Sequence, residues 1–180
     1  VGKLIGFIPW EKLIYFVLEL AAVFLGVLAA FLADNYSKDK AERKERGRIL
    51  NLIRAEINYN KQILDTLKVG LKESDVPPVV NTHPMRGMWE GFTNRLGLVE
   101  NDKLRHETTL LYFVLANLDT MIDNYNPYAS EYQYADTKKK LEMAPIIRRQ
   151  HELLVGYLKE HVLPHFDKVL PLFDTELNDA

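Results

Sequence analysis

The amino-acid sequence predicts an all-α protein in which one N-terminal transmembrane helix continues into an antiparallel helical bundle. Three observations support this prediction. Residues 13–33 form an apolar run long enough for a bilayer core of about 30 Å, since each helical residue adds about 1.5 Å. The later segments repeat apolar residues every three or four positions, which is the helical period. No segment alternates apolar and polar residues over the length of a strand.

The composition leaves room for one membrane helix and one helical domain with its own core. The chain has 180 residues and a net charge of -2, and its 23 basic residues are interleaved with 25 acidic ones. No general attraction to nucleic acid is therefore expected. The absence of cysteine excludes disulfides and thiolate chemistry.

The sequence pattern divides the chain into five segments. They are an interfacial N-terminal segment (1–12), the transmembrane helix (13–33), a charged helical extension with the first bundle helix (34–74), a proline-rich loop with a short helix (75–100), and the remaining bundle with an acidic tail (101–180).

The flanks of the apolar run predict a retained anchor whose C-terminal body lies in the cytoplasm. The tripeptide Asp34-Asn35-Tyr36 stands where a signal peptide would need a small-residue cleavage site. Basic residues cluster after the run, and such an excess marks the cytoplasmic side. We expect five side chains to lie at the membrane surface and to contact lipid headgroups, namely Trp10, Lys38, Lys40, Arg43 and Lys44.

One face of the predicted span carries small residues and a carboxylate. Glu19, Ala22, Gly26 and Ala30 recur at helical spacing. Small residues let another helix come close, and a carboxylate within hydrocarbon needs a partner or a wet cavity. We therefore expect this face to contact another integral membrane protein or a second copy of the chain. The alternatives are that small residues are simply common in membrane helices, and that Glu19 carries protons or extends toward the near lipid headgroups.

A seam of apolar residues follows the charged extension at alternating steps of three and four. Its members are Leu50, Ile53, Ile57, Asn60, Leu64, Leu67 and Leu71. This spacing predicts packing against another helix, either within a bundle or in a dimeric coiled coil, and the bundle is favoured. Asn60 is the only polar member, and an asparagine at such a position fixes register or oligomeric state.

Prolines and asparagines mark the boundaries of the middle segments. The run DVPPVVNTHP, residues 75–84, predicts a loop, and a short helix is expected around Trp89. The next helix is predicted from Asn101 to Tyr125, with Asn126-Pro127 ending it.

A last helical region is predicted over residues 136–162, in which Pro145 marks either a kink or the first turn. Pro164 and Pro171 are expected to break the chain that follows. The acidic tail LFDTELNDA is expected to fray.

Few residues suggest chemistry. His161 and His165 have the spacing of a metal-binding pair, but Pro164 interrupts the helix between them and a third ligand is missing. Two further sets are interpreted as exposed helix residues: Asp119, Asp123 and Asn124 rather than a cation site, and the pairs His106-Glu107 and His151-Glu152. Since no catalytic motif is present, we predict neither an enzyme nor a bound cofactor.

The residues Glu19, Gly26, Ala30 and Asp34-Asn35-Tyr36 are followed by a charged helix, by Trp89 and by Lys103-Leu104-Arg105. In this order they resemble a family of single-pass bacterial membrane proteins, whose span has a glutamate, a glycine seven residues later and a closing Asn-Asn-Trp-like tripeptide. The sequence departs from that pattern at Leu32, where the family often has glutamine, and at Ala33. The resemblance implies a bacterial inner-membrane protein with a helical body, and it implies no reaction.

These features predict a non-enzymatic accessory or scaffolding subunit. Its span is expected to dock onto a larger membrane complex, whether photosynthetic, respiratory or transport, while the helical domain braces that complex. The alternative is a transmembrane signalling or sensor protein, in which a change passes through the charged helix into the bundle.

Overall fold

A computed structural model describes residues 10–73, 78–93, 99 and 101–178. The described residues contain no β-strand, so the predicted all-α class is confirmed. The described residues form five α-helices, α1 (Trp10–Glu73), α2 (Gly87–Phe92), α3 (Asp102–Tyr134), α4 (Thr137–Tyr157) and α5 (Leu163–Asn178), with a π-helical turn, Leu158–Val162, between the last two. Most of the predicted interfacial segment 1–12 lies outside the described residues, as do residues 74–77 and 94–98.

The chain divides into two compact units, Val1–Lys44 and Glu45–Ala180. The described part of the first unit consists of the N-terminal portion of α1. From Ile14 to Lys44 every side chain in this portion is exposed, including those of Leu18 and Phe24. Helix α1 is long and apolar enough to cross a membrane, and none of its most apolar stretch is buried against protein.

In the second unit, α1 runs antiparallel to α5, and ion pairs between the two helices show this direction. Arg46 pairs with Glu176 at 2.8 Å, while Lys61 pairs with Asp167 at 2.6 Å, so residue numbers rise along α1 as they fall along α5. Arg54 pairs with an acidic residue between these points, Asp174.

Helix α3 runs parallel to α1 and antiparallel to α4 and α5. Glu56 of α1 meets Tyr112 of α3. Further along, the backbone oxygen of Leu71 contacts His151 of α4, whose ring lies 6.3 Å from that of Tyr125 of α3. The connection between α1 and α3 therefore returns along the length of the bundle, because parallel helices cannot be joined by a short turn.

The core of the second unit is built from one apolar face of each long helix. All the predicted seam residues of α1 contribute, with Leu50, Ile53, Ile57, Asn60, Leu64 and Leu71 buried and Leu67 packed at the edge. They meet the buried faces of α3 and of the last two helices, which include Leu111, Leu115, Leu118, Ile122, Leu154, Leu158, Phe166, Val169 and Phe173. The seam is therefore used within one chain, as the bundle interpretation predicted.

The prediction that Asn126-Pro127 ends the third helix is wrong. Helix α3 continues through Pro127 to Tyr134. A proline inside a helix removes one backbone hydrogen bond and crowds the preceding turn. Here Tyr125 and Ala129 are both fully buried on either side of the proline, and the packing of this face outweighs the local cost.

The expected breaks at Pro164 and Pro171 are also wrong. The N–H of Leu163 donates to the oxygen of Leu158, five residues back, so the hydrogen bonds have π-helical spacing just before Pro164. Pro164 itself has no N–H to donate. Helix α5 then continues through Pro171 to Asn178. The tail is not frayed as far as Asn178, because Phe173 and Glu176 are buried.

Pro145 lies inside α4, so the interpretation that it marks the first turn is wrong. The helix begins eight residues earlier at Thr137. Asp136 caps it, because its carboxylate accepts the N–H of Lys139 at 2.8 Å. The region predicted to be helical, residues 136–162, is helical from Thr137 onward, with its last five residues in the π-helical turn.

Replacing Glu176 by glutamine is expected to lower the free energy of unfolding by about 2 kcal/mol, because the nearly buried Arg46 guanidinium loses the negative charge of Glu176. Asp167→Asn is the matched control, since the Asp167 side chain is 71% exposed and its pair with Lys61 is worth less than about 1 kcal/mol. Urea unfolding in detergent micelles, followed by circular dichroism, measures both. Equal losses for the two variants would contradict this account.

Candidate functional site

The four residues predicted to contact a membrane partner lie on one stripe of α1. Glu19, Ala22, Gly26 and Ala30 are all helical and exposed. A side chain added at Gly26 would meet nothing within 4 Å, so the space beside this glycine is open. This geometry suits close approach by another helix.

The residues predicted at the membrane surface are exposed as well. Trp10 is 74% exposed at the start of α1. Lys38 forms an ion pair of 2.6 Å with Asp34, one turn earlier, and Lys40, Arg43 and Lys44 extend into solvent. Side chains in this arrangement can reach lipid headgroups without first breaking a buried contact.

Asn60, which the sequence suggested fixes register or oligomeric state, is fully buried within its own chain. Its amide nitrogen donates to the backbone oxygen of Met85 at 2.7 Å, and its amide oxygen accepts the N–H of Met85 at 2.7 Å. The side chain thus satisfies both backbone groups of one residue in the returning connection. Asn60 fixes the position of this connection within the chain.

A second asparagine acts in the same way on the opposite helix. Asn126 of α3 accepts the N–H of Val80 at 2.8 Å and donates to its oxygen at 2.7 Å. Residues 78–93, which we call the clamped segment, are therefore fastened to α1 through Met85 and to α3 through Val80. Residues 78–86 lack secondary structure of their own. The asparagine side chains therefore satisfy backbone N–H and C=O groups that a helix or a sheet would otherwise satisfy.

Glu56 fastens the end of the clamped segment by capping α2. Its carboxylate accepts the N–H of Met88 at 2.7 Å and that of Trp89 at 3.4 Å. These donors belong to the first turn of α2, whose own N-cap residue, Arg86, makes no side-chain cap. A carboxylate is stabilised there by unpaired N–H groups and by the helix dipole.

Tyr112 completes the surroundings of this buried carboxylate. Its hydroxyl donates to Glu56, and its ring stacks on Trp89 with centroids 4.6 Å apart and planes 8° from parallel. Burial raises the pKa of Tyr112, and the hydrogen bond to Glu56 and its negative charge raise the pKa further. The hydroxyl therefore remains a donor at any physiological pH.

Asp119 holds the middle of the clamped segment through two basic side chains. It lies 3.2 Å from Nδ1 of His83 and 3.2 Å from the Arg86 guanidinium. Only 15% of its side chain is exposed, so its interpretation as a solvated residue is wrong. Asp123 and Asn124 are exposed, as expected.

The two predicted His-Glu pairs are not both exposed. His151 is partly buried, and its Nε2 donates to the oxygen of Leu71 at 3.0 Å, near the end of α1. Because a carbonyl can only accept, Nε2 carries a proton. The exposed interpretation is also wrong for Glu107, which lies with His165 between α3 and α5, whereas His106 and Glu152 are exposed.

Glu107 and His165 form a loose pair. Oε2 and Nδ1 are 3.9 Å apart, and each is buried without a hydrogen-bond partner. His161, the other member of the predicted metal pair, is exposed and stacks obliquely on Tyr157. Over the ranges that the structure describes, no three or more His, Cys, Asp or Glu side chains are grouped to hold a metal ion.

Comparison of the chain with protein-family models, with curated proteins and with solved structures gives no match. The resemblance of the N-terminal part to a family of single-pass bacterial membrane proteins therefore stays a prediction.

The sequence analysis missed Glu56, Tyr112 and Asn126, which hold the clamped segment. One signal was available for Glu56, because it lies three residues after Ile53 and four before Asn60 and so falls on the buried face of the seam. A charged residue at such a position needs a partner. Asn126 was interpreted as part of a helix-ending pair, so its hydrogen bonds to the backbone of Val80 were not predicted.

Glu56→Ala is expected to lower the free energy of unfolding by about 2 to 3 kcal/mol, because three donors in or near the core lose their acceptor. Hydrogen exchange at Met88 and Trp89 should accelerate in the same variant. Glu90→Ala is the control, since its side chain is 66% exposed and the change should stay within about 0.5 kcal/mol. Unchanged exchange in Glu56→Ala would show that the carboxylate does not cap α2.

Stability should fall in acid partly through His165. Burial lowers the pKa of His165 below the ordinary 6.5, Lys168 and His161 lower it further, and Glu107 raises it only in part. Below pH 6.5, His165 therefore becomes protonated in the unfolded chain, while in the folded chain it stays neutral until the pH falls to its lowered pKa. Above pH 6.5, His165 is neutral in both the folded and the unfolded chain, so its protonation does not change the free energy of unfolding.

The unfolding free energy of the His165→Gln variant should consequently fall less than that of the parent chain between neutral pH and the folded pKa. Thermal unfolding of both proteins across this range gives the difference. Parallel pH profiles would contradict the assignment.

Proposed function

We propose that the protein is a non-enzymatic, single-pass subunit of the bacterial inner membrane. In this proposal its span docks onto a larger integral membrane protein complex, and its helical domain braces that complex from the cytoplasmic side. The observation that carries the proposal is the stripe of Glu19, Ala22, Gly26 and Ala30, which is exposed on the most apolar stretch of α1, a stretch that buries no residue against the rest of the chain.

The carboxylate makes contact with protein a better explanation than contact with lipid. An ionised side chain facing hydrocarbon costs several kcal/mol, on the order of 3 on insertion scales, and a partner helix with a donor offsets this cost. Small residues on the same stripe allow that partner to come close enough for a hydrogen bond. The carboxylate and the small residues are therefore both explained by one contact with a partner helix.

The second unit supports a bracing role through the way its polar groups are used. Glu56, Asp119 and His151 are the kind of groups that carry chemistry elsewhere, yet each is occupied in joining one part of the bundle to another. Such a domain keeps its shape when a neighbour is attached. The basic residues after the span favour a cytoplasmic position for it.

A signalling role is the second candidate, and the continuity of α1 favours it. One helix, Trp10–Glu73, contains both the apolar stretch and the seam that enters the core. A rotation or shift of the span could be passed along such a helix. Single cysteines along 50–71, cross-linked with and without stimulus, would give two patterns if this role holds and one if it does not.

Gly26→Leu is expected to reduce co-purification of the partner complex at least tenfold, equivalent to about 1.4 kcal/mol, because the added side chain fills the open space beside Gly26 and keeps a partner helix from coming close. The measurement is tagged purification in a mild detergent followed by native mass spectrometry. Val17→Leu is the control, since Val17 lies on the opposite face of α1 and is already apolar. Recovery of the parent chain only as a free monomer would overturn the proposal.

A further inference from the structure

The polar part of α1 that follows the apolar stretch, residues 34–44, separates its charges around the helix. Lys40 and Lys44 lie one turn apart on the same face, and both are exposed. The three carboxylates of this part lie elsewhere around the helix, each at least about 80° from that face at about 100° per residue. They belong to Asp34, Asp39 and Glu42. One side of this part of the helix is therefore basic and carries no carboxylate.

Lys40 and Lys44, which we call the basic face, have no counter-charge of their own. Within the described parts of the chain neither lysine forms an ion pair. Lys38, on the other side of the helix, pairs with Asp34 at 2.6 Å. Like charges four residues apart on a helix destabilise it. The basic face therefore gains stability when carboxylates of another molecule lie opposite it.

The basic face lies in line with the stripe of small residues on the span. Beyond Ala30, the stripe continues at steps of three and four through Ala33, Ser37, Lys40 and Lys44. The 25 residues from Glu19 to Lys44 turn the helix by about 2,500°, which is about 20° short of seven full turns. A helix packed along the stripe therefore also passes beside the two lysines.

Lipid headgroups do not explain a one-sided charge pattern. A helix that crosses a bilayer meets headgroups on every side, so an anionic membrane attracts lysines on any face of the helix. A protein neighbour lies on one side only, and it favours one face. The separation of charges around residues 34–44 therefore indicates a protein beside α1.

A second copy of the chain does not fit the basic face. Two copies in one membrane have parallel spans, so each residue on a shared two-fold contact meets its own counterpart. Lys40 would then face Lys40, and Lys44 would face Lys44. Like charges in direct opposition destabilise a helix pair. The charges therefore require a neighbour of different sequence.

We propose that the protein docked on the stripe is a different polypeptide, whose membrane helix continues alongside residues 34–44 and carries carboxylates opposite Lys40 and Lys44. This inference rests on the proposed docking of the span and adds the chemistry of the partner. The carboxylates lie about 32 to 38 Å along the partner helix from the group that contacts Glu19, at about 1.5 Å per residue. The partner is thus acidic where it leaves the same side of the membrane.

Zero-length cross-linking tests the proposal on the full chain in native membranes. A carbodiimide joins a lysine amine to a carboxylate only where the two groups touch. We expect cross-linked peptides that join Lys40 or Lys44 to an aspartate or glutamate of another membrane protein. The double variant K40R/K44R should lose these products and still co-purify the partner, because a guanidinium keeps the charge and is not coupled.

Two results of the cross-linking would overturn the proposal. One is that both lysines give no product with any other protein. The other is that they are joined only to carboxylates of a second copy of this chain.

Charge reversal gives a matched comparison, measured as co-purification of the partner by native mass spectrometry. Lys44→Glu should reduce co-purification at least about fivefold, because it places a carboxylate against the partner's carboxylates. Lys38→Glu is the control, since it is the same substitution on the other side of the helix, and it should change co-purification by less than about twofold. Circular dichroism checks that both variants remain helical.

The same measurement separates this inference from the proposed docking. If Gly26→Leu abolishes co-purification while Lys44→Glu and Lys38→Glu have equal effects, the acidic partner is wrong and docking through the stripe stands. Equal losses from the two lysine variants would assign both side chains to lipid headgroups. If none of the three variants changes co-purification, docking through the stripe is wrong as well.

Discussion

The structure of the second unit depends on satisfying the backbone of a segment that has no secondary structure. Because α1 and α3 run parallel, residues 78–86 must return along the bundle in an irregular conformation. Backbone N–H and C=O groups placed there without partners would cost about 1 to 3 kcal/mol each. Asn60 and Asn126 each supply a donor and an acceptor to one residue of the segment, and Glu56 supplies the acceptor at its end.

This requirement explains why two polar side chains lie on the buried face of α1. Glu56 and Asn60 are one turn apart on the buried face of α1, on which the rest of the seam is apolar. Placing polar groups in a core costs stability unless each is paired, and here Asn60 pairs with Met85, and Glu56 with Met88, of the clamped segment. Specific pairing of this kind favours one arrangement of the connection over others that would bury similar apolar area.

Much of the fold could be predicted from the sequence because its helices are strongly periodic. The apolar run, the seam of α1 and the short helix around Trp89 follow from spacing and composition. The extent of α3 and α5 could not be predicted, since prolines at 127, 164 and 171 are locally unfavourable and only tertiary packing outweighs them. The partners of Asn60 and Asn126 lie in a loop, and no local pattern indicates which loop residue a distant side chain will bind.

The π-helical turn Leu158–Val162 sets the rotation of everything after it. Each residue of an α-helix turns the chain by about 100°, so one residue fewer here would rotate α5 by that amount about its axis. Phe166 and Phe173 would then swing away from α3, and Glu176 would leave Arg46. The number of residues in this turn thus constrains the packing of α5 as strongly as the identity of any core side chain does. Insertions or deletions in the turn should therefore be tolerated far less than substitutions.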